Sequence, residues 1–401
     1  MSVVTELDLA AFDYANPLLN GERFHSTMRE LGEGGWLASM PMGYVVLERE
    51  AGEFFLRSKS FTFPGHKVAE LFGVTEGPLY EEISRNILCL DGLDHRRLRN
   101  LVNPALAPRA VERYRPAMQG FLTDLFDAFA AERRCDFIKA VAKPYPSLTI
   151  ATVMGAPLSD APRLHHWSNM IQRQFASNLL DEREAIEQAV VEFYDYAGDL
   201  LERRRSSPGD DLISTLIAAR YEGDRLSDDE LVNLVLNVLI GGVDTTQSQL
   251  AHAVRLLAEH PDQWKLLAER PELALAAVDE TLRFEPITPF TARIALEDVT
   301  YRDVVFPAGT VVMVSAFNGN RDPEAFSAPD AFDITVERTN ARVLTFGAGI
   351  HYCLGANLAR AEMQEALAFF PSRMPELRLD GAPEFGSVHG IYGLESLPIA
   401  F

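Results

Sequence analysis

The sequence predicts a mainly α fold with a minor β portion, and three observations predict it. Apolar residues recur at spacings of three and four through residues 110–131, 182–205, 227–260 and 263–284, the pattern of helices with one buried face. β-branched runs bounded by turn residues are confined to about 35–47 and 299–314. No period of solenoid length repeats along the 401 residues. A single domain spanning 1–401 accommodates the pattern, its helical body mainly in 90–290 and 354–375 and its small β-rich portion in the two runs named.

In order along the chain, Gly43 precedes Tyr44-Val45-Val46-Leu47, which reads as a short strand of a small sheet. Residues 61–85 and 168–181 mix Gly, Pro, polar and large apolar residues without a sustained period and read as variable cover loops. Ser227 and Glu230 have the spacing of a capping box, and helical pattern continues from there to Pro261. At about 1.5 Å per residue, roughly 33 residues make a helix about 50 Å long, enough to cross a domain. Its middle breaks local rules: Gly241-Gly242-Val243-Asp244-Thr245-Thr246 sets two glycines and three consecutive polar residues in an apolar stretch. Each glycine costs a helix about 1 kcal/mol relative to alanine. Two readings compete: a widened groove lined by hydroxyl and carboxyl groups, or threonines bonded back to carbonyls four residues earlier with Asp244 in solvent. Farther on, Phe306-Pro307-Ala308-Gly309 separates two β-branched runs as a turn does.

Composition narrows the function. A formal charge of -21, from 37 basic and 58 acidic residues, repels nucleic acid and anionic lipid surfaces. Three cysteines, Cys89, Cys135 and Cys353, form a sparse, odd set that points to a reducing compartment rather than a disulfide framework. Residues 1–20 carry Glu6, Asp8 and Asp13 and lack the basic and apolar regions of a secretory leader, so a cytoplasmic location is expected. The most apolar stretch, residues 231–243, is interrupted by Asn233 and Asn237, and no membrane insertion is expected.

Cys353 stands in a run of glycines followed by a helix expected over 354 to about 363. Taken alone, a cysteine is a small buried hydrophobe; on a glycine-hinged loop ahead of a helix N-terminus it is also suited to thiolate ligation of a metal. Zinc fits poorly, because His351 and Cys353 alone make no tetrahedral set. The run Phe346, Gly347, Gly349, His351, Cys353 and Gly355 resembles the cysteine loop of the cytochrome P450 family, Phe-Gly-x-Gly-x-His-x-Cys-x-Gly. Residues 241–246 resemble the same family's distal-helix segment, and Glu280 with Arg283, then Asn320 to Pro323, follow in the family's order.

The resemblance implies a cytochrome P450-like fold with haem b between a long distal helix and the cysteine loop, and Cys353 as axial ligand of the iron. It implies that Thr245 hydrogen-bonds bound oxygen and Asp244 helps relay protons, and that His95, Arg99, Arg293 and His351 hold the haem carboxylates beside Phe346 and Gly347. Glu280 and Arg283, one turn apart, take a structural role that Arg338 extends, and Asn320 to Pro323 form a structural turn. Family-like pocket positions fall at Phe72, Ile83, Ile87, Leu88, Phe175, Leu179, Val238, Ile287 to Phe290, Ile391 and Tyr392, mostly apolar, which favours a hydrophobic small-molecule substrate.

The expected reaction is insertion of one oxygen atom from O2, a hydroxylation or epoxidation. No iron–sulfur or flavin segment is evident, so electrons are expected from NAD(P)H through a ferredoxin reductase and a ferredoxin or equivalent donor, with Arg96, Arg97 and Arg360 as docking residues. The alternatives are a haem protein that senses ligands without turnover and a peroxide-dependent haem-thiolate enzyme. Asp244 and Thr245 speak against the second.

Overall fold

Both β-branched runs form strands in the computed structural model, which describes residues 2–175, 179–336, 338 and 341–401. Leu37–Met40 pairs antiparallel with Gly43–Val46, which pairs parallel with Val311–Ser315. Next come Phe290–Ala295 and Phe61–Thr62, completing a five-stranded sheet. Alternation decides its two faces: Leu37 and Val46 pack with Phe55, Val312 and Val314, whereas Ala38 and Val45 pack with Phe24, Phe290 and Phe317. The turn between the runs of 299–314 closes through the Thr310 N–H donating to the Pro307 carbonyl at 3.0 Å. Phe290–Ala295, a strand inside the sheet, was not anticipated, because its residues read as pocket and cofactor positions rather than as an alternating segment.

The chain divides into two compact units. This sheet belongs to the first, which comprises Met1–Gly65, Asp279–Cys353 and Phe385–Tyr392; the second comprises His66–Val278, Leu354–Glu384 and Gly393–Phe401. The second unit is mainly helical. Asp228–Gly242 packs against Pro144–Met154, Ala161–Gln172 and Leu179–Ser206, and Asp244–Glu259 packs against Ala356–Phe369. Among the described residues no helix is long and apolar enough to cross a membrane.

Several helices depart from expectation for identifiable reasons. The capping box forms, with the Ser227 N–H donating to Glu230 Oε2 at 2.8 Å and the Glu230 N–H to Ser227 Oγ at 3.3 Å. The helix it opens is not continuous, however: it ends at Gly242, and a second begins at Asp244 after Val243 bends to ψ -70°. The pattern of 263–284 is cut by Pro271, which lacks the N–H a helix interior needs, into Pro261–Glu269 and Ala274–Phe284. Residues 110–131 likewise break into short pieces around Glu112–Tyr114, with Arg115–Asp127 the main helix. The expected cover loops are largely helical, as Gly65–Leu71, Pro78–Arg85 and the end of Ala161–Gln172, their periods too short to stand out in sequence. Residues 176–178 lie outside the described residues. The last helix begins at Ala356 rather than Leu354, with Gly355 as its N-cap.

Candidate active site

The cysteine loop is held by its own backbone. The Cys353 N–H donates to the Phe346 carbonyl at 2.9 Å, the Gly347 N–H to Leu344 at 2.8 Å and the Tyr352 N–H to Gly349 at 3.2 Å. Gly349 sits at φ +73°, and a Cβ there would lie 2.7 Å from the Leu56 carbonyl at the end of the helix Arg49–Arg57. Only glycine permits both that conformation and that approach. Asn320 fastens the start of the loop: its Oδ1 accepts from the Leu344 N–H at 2.7 Å and its Nδ2 donates to Thr345 Oγ1 at 2.9 Å.

Behind the loop lies a buried charge cluster. Arg283 donates to both Glu280 oxygens at 2.8 Å, and Arg338 donates to the same two oxygens at 2.7 and 3.1 Å. Arg283 also donates to the carbonyls of Asn320, Pro329 and Ala331, and the Asp333 N–H donates to Glu280. Such saturation offsets the desolvation of buried charges.

In the second unit, the break at Val243 combines parts of both readings of the sequence: Thr245 bonds back to the carbonyl four residues earlier, whereas Asp244 is not in solvent. Thr245 Oγ1 donates to the Gly241 carbonyl at 2.5 Å, whereas the Thr246 hydroxyl reaches Glu362 Oε2 at 3.5 Å. Asp244 is buried rather than solvated, accepting from Ser168 Oγ at 2.7 Å and Asn169 Nδ2 at 3.4 Å. Burial raises its pKa against the opposing pull of Ser168 and His165. The glycines serve separate ends. A Cβ on Gly241 meets nothing within 4 Å, which leaves open space beside the break, whereas one on Gly242 would lie 2.4 Å from Ile150 Cδ1.

The chain is similar to known proteins over most of its length. The family model described as Cytochrome P450 matches residues 74–370. The chain is 35% identical to luteothin monooxygenase of Streptomyces thioluteus over 98% of its own length and 96% of that protein's. It is 39% identical to mycinamicin IV hydroxylase/epoxidase of Micromonospora griseorubida over 76% of each. Among solved structures, P450BioI in complex with an acyl carrier protein bearing hexadec-9Z-enoic acid matches with TM-score 0.87 at 30% identity, covering 95% of this chain and 99% of that one. The chain belongs to the cytochrome P450 family.

A P450 monooxygenase requires haem and O2, and the residues present fit the group. Haem needs one soft donor on a backbone that turns tightly beneath it, and half-buried Cys353 on its glycine-hinged loop offers that. The four candidate donors to the haem carboxylates fall in both units. Buried His95 shares the helix Gly92–Val102 with half-buried Arg99 in the second; Arg293, buried in the strand Phe290–Ala295, and His351 lie with Cys353 in the first.

The pocket positions of this P450 also separate. Ile83, Leu179 and Phe72 join one cluster of the second unit, and Val238 is buried on Asp228–Gly242 of the same unit. Phe290 and Tyr392 are core residues of the first unit, packed on Phe24, and the Tyr392 hydroxyl accepts from the Gly21 N–H at 2.7 Å. Both residues, expected to line the pocket, lie within that unit's core cluster. Arg97 is likewise no open docking charge: it donates to Glu230 Oε1 at 2.6 Å and also to Asp224 and the Arg225 carbonyl. Arg96 is exposed and Arg360 half-buried.

Sequence reasoning missed Ser168, His165 and Glu362, the polar groups around residues 244–246. Glu362 had a signal, since Leu358, Glu362 and Ala366 are four apart on the buried side of Ala356–Phe369. Ser168 and His165 lay beside or inside a stretch read as cover, where no spacing flags them.

Proposed function

We propose that this P450 inserts one oxygen atom from O2 into an apolar small molecule by hydroxylation or epoxidation, with residues 1–401 acting as one catalytic domain. Cys353 is the iron ligand, and the self-bonded glycine loop that presents it is the observation that carries this reading. His95, Arg99, Arg293 and His351 hold the haem carboxylates. When bound, haem b supplies oxygen activation, which a thiolate ligand assists by favouring O–O cleavage.

The chain's own contribution is to fix the sulfur and to manage protons. Asp244 takes a proton more readily than an ordinary aspartate, and Ser168 and His165 beside it offer an exchange route. Thr245 keeps its hydroxyl on the Gly241 carbonyl and releases it when a ligand in the adjoining space accepts instead. Electrons come from NAD(P)H by way of a ferredoxin-type protein, which Arg96 and Arg360 help to dock. Relatives whose names include monooxygenase, hydroxylase and epoxidase support the reaction class.

The test is the absorption spectrum of the dithionite-reduced holoenzyme with carbon monoxide, for wild type and Cys353→Ser. A strongly red-shifted Soret band in wild type, lost in the variant, is expected. The same band in both proteins overturns Cys353 as ligand. Thr245→Ala is expected to keep the band while diverting reducing equivalents to hydrogen peroxide, and unchanged coupling of electrons to product removes Thr245 from the mechanism.

A further inference from the structure

The helix Pro78–Arg85 buries Leu79, Glu82 and Ile83 and packs on Leu179–Ser206 and Asp228–Gly242. A carboxyl group on such a stripe needs a reason. Glu82 is 1% exposed; its Oε1 accepts from Asn86 Nδ2 at 2.8 Å, and its Oε2 has no hydrogen-bond partner among the described residues. Beside it stands Gln174, 5% exposed, whose amide favours the charged form of Glu82 although neither its oxygen nor its nitrogen comes within hydrogen-bond distance of a partner among the described residues.

The surrounding polar groups are satisfied. Asn233 Nδ2 donates to the Tyr194 hydroxyl at 2.9 Å, Asn237 Nδ2 donates to the Asn233 carbonyl at 2.8 Å, and Asn237 Oδ1 accepts from the Ile87 N–H at 3.1 Å. Three atoms have no partner at hydrogen-bond distance among the described residues: Glu82 Oε2 and both polar atoms of Gln174. No arginine or lysine among the described residues pairs with Glu82, and burial lifts its pKa to about 7. The cluster alternates along the chain with residues assigned to substrate contact: Ile83 follows Glu82, Ile87 follows Asn86, Phe175 follows Gln174 and Val238 follows Asn237.

We propose that Glu82, assisted by the Gln174 amide, selects a substrate carrying a protonated amine on an otherwise apolar skeleton. The proposal rests on the monooxygenase reading and adds the substrate class to it. Two unused acceptors, Glu82 Oε2 and Gln174 Oε1, suit a cationic donor, and a positive charge turns a costly buried carboxyl group into a paired carboxylate. A hydroxyl group satisfies one acceptor but leaves the carboxylate charge unmatched. The chain's net charge of -21 draws cations toward it.

The experiment is isothermal titration of the holoenzyme, below micelle-forming concentrations, with N,N-dimethyldodecylamine, 1-dodecanol and methyl dodecanoate. Wild type is expected to bind the amine at least about tenfold tighter than either neutral probe, the scale of a charge-assisted hydrogen bond. Glu82→Gln is expected to erase that preference and leave neutral-probe affinity unchanged; Gln174→Leu is expected to reduce it about threefold, the loss of one neutral hydrogen bond. Equal binding of amine and neutral probes by wild type, or a preference surviving Glu82→Gln, overturns the proposal. Should Glu82→Gln fail to fold, an undiminished preference in Gln174→Leu overturns it. The carbon monoxide spectrum of the same preparations separates the two failures: a lost band refutes the monooxygenase reading, whereas a normal band with no amine preference refutes only the handle.

Discussion

The cysteine loop and the break at Val243 are built on opposite plans. Around Cys353 the backbone is over-determined: loop hydrogen bonds, the left-handed Gly349 against Leu56, and Asn320 bonded to Leu344 and Thr345 all fix the same few residues. Around Asp244 the structure leaves polar capacity unused. His165 Nδ1 and Glu362 Oε1 have no hydrogen-bond partners among the described residues, and Gly241 borders empty space. An axial ligand must not move, since a small displacement of the sulfur changes the bond it makes. Groups that pass protons must exchange partners, and a fully satisfied network has none to offer.

Breaking the rigid region gives the largest effect. Glu280→Ala leaves Arg283 and Arg338 without the carboxylate that neutralises them, and Arg283 is fully buried. Removing one partner of a buried pair costs about 3–5 kcal/mol, so a large drop in urea midpoint and in haem content is expected. A loss under about 1 kcal/mol in urea unfolding, in the range of an exposed pair, shows that the cluster does not brace the fold. Gly349→Ala comes next. Its left-handed backbone costs a side chain roughly 1–2 kcal/mol before the contact with Leu56 is counted. Thermal unfolding and haem stoichiometry are both expected to fall, and an unaltered variant contradicts the tight loop.

The same contrast explains what the sequence disclosed. The cysteine loop was legible because backbone constraints write themselves as residue types at fixed spacing: Gly347 and Gly349 are each the residue their left-handed backbone demands. The sheet at 35–47 and 299–314 was legible by its β-branched runs. The interruption at Val243 was visible only as two glycines and three polar residues, and which hydroxyl bonded where depended on the distant helices that bring Ser168 and Glu362 to it. Pro78–Arg85 was hidden because eight residues give barely two turns of period. Phe290 and Tyr392 were harder to read, because an apolar residue that lines a pocket and one that fills a core look alike in sequence.

In the looser region the effects are smaller and depend on pH. Burial holds the Glu362 carboxyl protonated well above its usual 4.5. The unfolded chain gives up that proton near its ordinary pKa, so above it the folded state binds the extra proton. Stability from this residue is therefore full below about pH 4.5 and is lost as pH rises toward and through the folded pKa. Glu362→Gln cannot titrate, and its urea midpoint is expected to gain on wild type as pH rises above about 4.5. Parallel curves for the two proteins place the proton elsewhere.

The sharpest comparison sets one substitution in both regions. Gly241→Ala introduces a methyl group that meets nothing within 4 Å, at the end of the helix Asp228–Gly242, where alanine is the better helix former. Stability is expected to rise by about 0.5–1 kcal/mol, the reverse of Gly349→Ala. The methyl group also narrows the space into which the Thr245 hydroxyl is proposed to be released, so coupling of electrons to product is expected to fall while stability improves. A variant both more stable and equally coupled shows that the open space beside Gly241 has no part in the chemistry. A destabilised one shows that the glycine, like Gly242 against Ile150, is there for packing.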